Sequence, residues 1–427
     1  MKIVVVGGGK IGLPLACQLA DNGGIVTIYD VDCERVDKIN RGEPFFNEPM
    51  LGDYMQRNIS LGRLKATVVA TNAISNADVI IIIVSATLTS TNEIDYGNLK
   101  VASKTVSIGL KRGTLVTYET TVPVGGCRNV LVPVLEESGL SAGKDFDVAF
   151  SPERVKSLHF FSRIQKTPKI VGGHNSNAAK RAESFYKTFL KAPVINIGSL
   201  ESAEFIKLAG MVYRDVNIAL SNELASFCEN VGIDYYSCVE AANTDNETYL
   251  LQPGIGVGGH CTPVYPYFLT KSNTGNFTTQ KIVELGRRVN EAQPERNINV
   301  LEKKVGSLKQ KAVHILGLAF RPEVKEHSYS PAFTIRDELL KRGAVVTLED
   351  PLYEPFEIEN LGFKTAQLGI DCIDIVILNT AHKEFGKHDF SQLRSKGVNV
   401  VLDGRNFWET EDIEKEGITY ICVGKTI

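Results

Sequence analysis

A chain of 427 residues exceeds what one hydrophobic core serves, so two or three domains are expected, each with a sizeable apolar interior. Its 43% hydrophobic and 23% charged residues are globular proportions, and a formal net charge of -3 excludes a general attraction to nucleic acid or to a membrane surface. Any polyanion has to be met by local charge.

In chain order, "KIVVV" at 2–6, "IVTIYD" at 25–30, "DVIIIIV" at 78–84 and "TLVTY" at 114–118 are β-branched runs separated by helical patterns. That alternation predicts a parallel sheet with covering helices. From residue 200 the texture changes: "SAEFIKLAGMVYRDVNIALSNELASFCENVG" has apolar residues at helical spacing and no strand signal. After the glycine-rich stretch "GIGVGGHCTPVYPYF" at 254–268, the helical pattern continues through "TTQKIVELGRRVNEAQPERNINVLEKKVGSL", with Pro294 marking a kink or restart. Strand and helix alternate again from 311, in "KAVHILGLAF", "AVVTLEDP", "CIDIVILNT" and "VNVVLDGRN". The expected fold is α/β, with two Rossmann-like doubly wound parallel-sheet domains joined by a central all-helical domain, bounded at 1–199, 200–308 and 309–427. The N-terminus runs straight into glycines without a signal-peptide core, and the run "VIIIIVSA" is far short of the roughly 20 residues that span a bilayer, so a soluble cytoplasmic protein is expected. The 8 cysteines form no CxxC pair, so their spacing encodes neither a disulfide framework nor a zinc site.

"VVVGGGKIG" sets Gly7, Gly9 and Gly12 in GxGxxG spacing after a strand and before a helix, with Lys10 and Ile11 inside the turn. Such glycines permit a tight turn and close approach to a pyrophosphate, and the helix N-terminus favours the anion. Asp30, at the end of the next strand, is placed for a ribose 2′-hydroxyl and favours NAD, while Arg35 complicates that choice because it could meet a 2′-phosphate.

Cys261 lies within the second glycine cluster, beside Gly258 and His260. On the residues alone it is a nucleophile, one half of a metal pair, or a small buried thiol. Beside a nicotinamide domain, a thiolate can add to an aldehyde and allow a second hydride to leave. Such chemistry needs an oxyanion stabiliser and a hydrolytic group, and Lys207 of "SAEFIKLAG", Glu153 of "SPERV" and Thr121 of "YETTVPVG" are candidates. No further cluster has metal-ligand spacing, so no metal is expected.

The ordered blocks "GGGKIGLPLA", "ETTVPVG", "SPERV", "AEFIKL", "YRDVNIALSNELA", "GVGGHC", "LGLAF", "SPAF" and "DGRN" resemble the UDP-glucose/GDP-mannose dehydrogenase family over essentially the whole chain. The resemblance implies two successive NAD-dependent oxidations of the C6 hydroxyl of a nucleotide sugar to the uronic acid, in polysaccharide or glycan precursor synthesis. It further implies a homodimer or larger homo-oligomer built through the helical middle, and nucleotide binding by the C-terminal domain. By the same resemblance Cys261 is the nucleophile, Lys207 steadies the oxyanion, and Glu153 and Thr121 position the hydrolytic water. Glu153, Arg154, Lys207, Arg214, Asn217, Gly258, His260, Phe320, Arg321 and Arg405 are implied on the substrate side, and Thr121 also at the cofactor. "SPERV" and "GGHC" resemble the branch acting on UDP-N-acetylhexosamines, with mannosamine ahead of glucosamine; UDP-glucose is the alternative.

The chain departs from the family pattern at Met211, usually asparagine, at Tyr265, usually aspartate, and at Glu247 and Ser328, where arginines are common. Ser157 replaces a second glutamate frequent in UDP-glucose enzymes. These losses fit a divergent pocket in which His260 or Tyr265 handles protons, or a homologue that stops at the aldehyde or binds without turnover. Two-electron dehydrogenases of the 3-hydroxyacyl or 6-phosphogluconate type need neither the cysteine loop nor a second α/β domain.

Overall fold

A computed structural model describes residues 1–155, 158–272 and 280–425. They fall into two compact units, Met1–Gly210 with Tyr267–Thr278, and Met211–Pro266 with Thr279–Ile427.

The first unit is built on an eight-stranded sheet. Its strands are β1 (Lys2–Val6), β2 (Ile25–Tyr29), β3 (Leu64–Thr67) and β4 (Val79–Ile82), then, past a small hairpin of β5 (Thr87–Leu88) and β6 (Ile94–Asp95), β7 (Leu115–Tyr118), β8 (Asp147–Phe150), β9 (Lys169–Gly173) and β10 (Val194–Ser199). The order is β10-β9-β8-β7-β4-β1-β2-β3. β4, β7, β8 and β9 are buried at every position, so their sequences show runs and not the alternation of a half-exposed strand. β1 lies between β2 and β4, which makes the end of β1 a topological switch point, where ligands of open α/β sheets bind. Leu13, Leu15 and Leu19 of the helix Gly12–Asp21 pack with Ile3, Val5 and Ile28 in the core that holds this loop in place.

One strand pair breaks the parallel pattern. β9 returns antiparallel to β8, with Ala149 opposite Gly173 and Phe150 opposite Gly172. Extending that register past the end of β8 sets Glu153 opposite Lys169.

The 32-residue helix Leu200–Val231 is followed by Tyr235–Ala242, Lys281–Glu291 and Gln293–Val305, and no described residue of 200–308 is in a strand. Pro294 is a restart: Ala292 closes one helix and opens the next, with the proline in the first turn, where its missing N–H costs no hydrogen bond. The second unit's sheet comprises β11 (Ala312–Leu316), β12 (Val345–Glu349), β13 (Lys364–Thr365), β14 (Ile375–Leu378), β15 (Val400–Asp403) and β16 (Thr419–Cys422). Its order is β13-β12-β11-β14-β15-β16, parallel throughout, with a second switch point between β11 and β14.

The four strands read near the N-terminus are present, but the run at 78–84 forms a strand only over Val79–Ile82. Among the described residues no helix is long and apolar enough to cross a membrane. None of the eight cysteines is in a disulfide.

Candidate active site

Val6 ends β1, and the chain turns at Gly7 with φ of +107°, which an L side chain rarely adopts. A Cβ on Gly12 would lie 1.9 Å from the Gly7 carbonyl oxygen, so only glycine lets the helix start this close to the strand. Gly9 faces the other way: no atom of the described residues lies within 4 Å of its would-be Cβ, which leaves room for a ligand. Lys10 is exposed and Ile11 half-buried. The helix Gly12–Asp21 opens with no side-chain cap and no acidic residue in its first turn, so its own first turn places no carboxylate at the positive end of its dipole. This cradle fits the pyrophosphate of a dinucleotide.

Asp30 is buried, and its Oδ2 accepts from Gly8 N at 2.7 Å and from Arg35 Nη1 at 3.0 Å, while Oδ1 accepts from Asp32 N at 3.0 Å. A carboxylate oxygen has two lone pairs, so Oδ1 keeps one for a ribose hydroxyl. Arg35 also lies 3.5 Å from Asp32 and 5.7 Å above the Phe45 ring. With two carboxylates already matching its charge, it is a poor receptor for a 2′-phosphate.

Beyond β7 and β8 the same unit gathers a charged cluster. Glu153 Oε1 accepts from the amides of Arg154 at 2.6 Å and Val155 at 2.7 Å, and its backbone carbonyl accepts from Lys207 Nζ at 2.7 Å. Two of the residues singled out in the sequence are thus in direct contact. Lys169, which the sequence reading passed over, donates to Glu153 Oε2 at 2.9 Å and to Glu119 Oε2 at 2.5 Å; Glu119 Oε1 accepts from Tyr186 Oη at 2.7 Å. Burial pushes the Glu119 carboxyl up. Burial acts on Glu153 in the same direction, but Lys169 and the two amides outweigh it and hold that carboxyl below the ordinary range. Burial alone would lower Lys169, and the two carboxylates raise it instead.

Thr121 is buried just past β7. The loop after it is pinned by Glu204, whose carboxylate accepts from Gly125 N at 2.6 Å and Cys127 N at 2.8 Å. Burial raises the Glu204 carboxyl to about 7 against the pull of those amides. Glu204 lies three positions before Lys207 on one helix, so a single turn both anchors the Thr121 loop and carries the lysine.

In the second unit, Cys261 is half-buried, and its carbonyl accepts from Val264 N at 3.2 Å and Tyr265 N at 2.9 Å, which folds the loop back on itself. The glycines before it are crowded by protein. A Cβ on Gly258 would lie 2.6 Å from Phe320 Cβ, and one on Gly256 2.8 Å from Pro331. Gly259, with φ of +100°, donates to the Ser328 carbonyl at 2.8 Å. His260 meets Phe320 edge-on at 6.3 Å between ring centres.

Arg321 lies 3.6 Å from Glu326, and its buried Nε has no hydrogen-bond partner among the described residues. Arg405, expected on the nucleotide side, makes two backbone contacts: Nε donates to the Asn379 carbonyl past β14 at 2.7 Å, and Nη2 to the Gly256 carbonyl at 3.2 Å. Asn217, expected at the substrate, donates to Tyr249 O at 2.6 Å and accepts from Leu251 N at 3.0 Å, so its amide fixes the backbone that leads into the glycine loop.

Arg154 and Arg214 are exposed, and the Arg154 guanidinium donates to the Pro168 carbonyl at 2.5 Å. Met211 and Tyr265 are half-buried, and Glu247 and Ser328 exposed. Ser157 lies outside the described residues.

Three domain profiles of the UDP-glucose/GDP-mannose dehydrogenase family match the chain: the NAD binding domain over residues 1–190, the central domain over 201–292 and the UDP binding domain over 314–410. The chain is 32% identical over 411 residues to a UDP-N-acetyl-D-mannosamine dehydrogenase of Pyrococcus horikoshii, covering 95% of this chain and 96% of the relative. It is 30% identical over 419 residues to an NDP-N-acetyl-D-galactosaminuronic acid dehydrogenase of Ralstonia solanacearum, covering 96% of each. The solved structure of a UDP-D-ManNAc dehydrogenase from P. horikoshii superposes with a TM-score of 0.90 at 31% identity, covering 99% of both chains.

Proposed function

The chain belongs to the UDP-glucose/GDP-mannose dehydrogenase family and is an NAD-dependent UDP-sugar dehydrogenase, and we propose that it oxidises the C6 hydroxyl of a UDP-N-acetylhexosamine through four electrons to the uronic acid. UDP-N-acetylmannosamine is favoured over UDP-N-acetylglucosamine, with support from relatives whose names carry an N-acetylated sugar. The product serves polysaccharide or glycan precursor synthesis. In this reading residues 1–199 bind NAD, 200–308 supply Lys207 and Cys261, and 309–427 hold the UDP-sugar.

NAD, when bound, supplies the acceptor for both hydrides. Lys207 steadies the C6 oxygen as negative charge grows on it. The alcohol loses a hydride and a proton to become the aldehyde. Cys261, as thiolate, adds to that carbonyl and forms the C–S bond of a thiohemiacetal. Loss of the second hydride and the hydroxyl proton leaves a thioester, and water oriented by Glu153 and Thr121 breaks the C–S bond, releasing the uronate and returning the thiol. One sugar, two NAD and one water give one uronate, two NADH and three protons. Arg321, with a buried Nε that has no hydrogen-bond partner among the described residues, is suited to a diphosphate or uracil oxygen.

The observation that carries this reading is the contact between Lys207 Nζ and the Glu153 carbonyl at 2.7 Å, which brings the proposed oxyanion stabiliser to the residue proposed to handle water. Self-association through the helical middle is part of the proposal. Tyr213, Leu220 and Phe227, 56%, 46% and 60% exposed, recur every seventh residue along the helix Leu200–Val231 and share one face.

A panel of UDP-sugars with NAD tests the substrate: NADH formation is expected to be most efficient with UDP-N-acetylmannosamine. Preference for UDP-glucose would select the alternative substrate, and binding without NADH a non-catalytic homologue. Cys261→Ser is expected to block acid formation while leaving sugar affinity within about threefold, since the thiol acts on the reacting carbon and not in ground-state binding. Acid production at the wild-type rate would remove Cys261 from the mechanism.

A further inference from the structure

We propose that Lys169 is a positioning residue which locks Glu153 as an ionised carboxylate with a single remaining acceptor site, on Oε2, for the attacking water. The inference rests on the role given to Glu153 above, and its geometry lies wholly within the first unit. Both oxygens of Glu153 can be accounted for. Oε1 takes two backbone amides, Arg154 N at 2.6 Å and Val155 N at 2.7 Å, which fill its two lone pairs. Oε2 takes one ammonium proton from Lys169 at 2.9 Å, which leaves one acceptor direction.

The carboxylate therefore cannot rotate without breaking three hydrogen bonds. The lysine is itself fixed from behind by Glu119, which is held in turn by Tyr186 Oη at 2.7 Å, and Tyr186 also meets Thr117 Oγ1 at 3.0 Å. The Lys169 ammonium lies 5.3 Å from the centre of the Tyr186 ring.

Burial argues for function over stability. The side chains of Glu119, Lys169 and Glu153 are 0%, 5% and 11% exposed. Removing such charges from water is costly, and apolar side chains of similar size often hold a core as well or better. A buried cluster of two carboxylates and one ammonium, beside a lysine and a glutamate proposed for catalysis, is better explained by its effect on the charge state of Glu153. The cluster's exposed end is also the informative one, because Glu153 is the most accessible of the three. Among the described residues, the charged groups around Glu153 are Lys169 from β9, Glu119 beyond β7 acting through Lys169, Lys207 from the helix Leu200–Val231 on the Glu153 carbonyl, and Arg154, whose guanidinium is turned to Pro168 O.

The test compares the full-length wild type with Lys169→Met, Lys169→Arg and the double variant Lys169→Met/Glu119→Gln, which keeps the cluster's net charge. Two quantities are read: the pH profile of acid formation, and the titration of the Glu153 carboxyl by carbon-13 NMR, assigned with Glu153→Gln. In wild type Glu153 is expected to titrate below an ordinary glutamate. Without the ammonium its titration and the acid limb of kcat are expected to rise together by about one to three pH units, with KM for the sugar changed less than about threefold. Lys169→Arg is expected to restore the wild-type profile. Where Lys169→Met does not fold, the charge-balanced double variant gives the reading. A wild-type Glu153 that titrates at or above the ordinary value overturns the proposal, and so does a folded variant without Lys169 whose Glu153 titrates as in wild type. The NMR titration needs no turnover, so a chain that made no uronate would contradict the proposed function while leaving the role of Lys169 to be decided on its own.

Discussion

The chain has two glycine-rich loops, one in each unit, and they use the same residue for opposite purposes. At 7–12 one glycine keeps space open: Gly7 makes the turn and Gly12 lets the helix close up to the strand, while Gly9 has no described atom within 4 Å of its missing Cβ. At 254–259 glycine lets protein fill the space. Would-be Cβ atoms on Gly254, Gly256, Gly258 and Gly259 meet Arg405, Pro331 and Phe320 at 2.5 to 2.9 Å. The second loop is also tied down more heavily, by Asn222 Oδ1 on Gly254 N at 2.9 Å and by Arg405 on the Gly256 carbonyl. A glycine cluster therefore reports close approach but not what approaches: in one loop a ligand, in the other the C-terminal sheet's own loops, with Cys261 at the end of the packed segment.

Substitutions can break this contrast. The largest effect is expected from Gly12→Ala, whose Cβ would lie 1.9 Å from a backbone oxygen. It should cost on the order of 3 kcal/mol or more in denaturant unfolding and abolish measurable NAD binding. Gly258→Ala should cost about 1 to 3 kcal/mol, because Phe320 Cβ and the Tyr329 carbonyl would have to move, while NAD affinity measured by calorimetry stays at the wild-type value. Gly9→Ala is the complement: unfolding should change by less than about 0.5 kcal/mol, yet NAD should bind more weakly as the methyl enters the ligand's space. A Gly9→Ala protein with unchanged NAD affinity, or a Gly258→Ala protein with unchanged stability, would remove the distinction between the loops.

The same contrast marks what could be read along the chain. The first loop is a local signal of strand, glycine spacing, helix and acidic residue within thirty positions, so its fold and ligand class were legible, as were the long helical middle and the second strand-helix alternation. β8 and β9 were not, because Asp147–Phe150 and Lys169–Gly173 are short, buried throughout and without periodicity. With them went Lys169, whose meaning depends on the antiparallel return that sets it opposite Glu153. Glu119 stood in a stretch already singled out for Thr121, but a carboxylate becomes notable only once it is known to be buried against a lysine. Arg405 and Asn217 were recognised as important by resemblance, and their contacts with backbone carbonyls and amides show work that no spacing rule encodes.

The most direct measurement of the central claim is the yield of NADH per molecule of UDP-N-acetylmannosamine consumed, with the sugar product identified in the same reaction. Four-electron oxidation predicts two NADH and the uronate, with no aldehyde accumulating. One NADH per sugar with the aldehyde as product would contradict it.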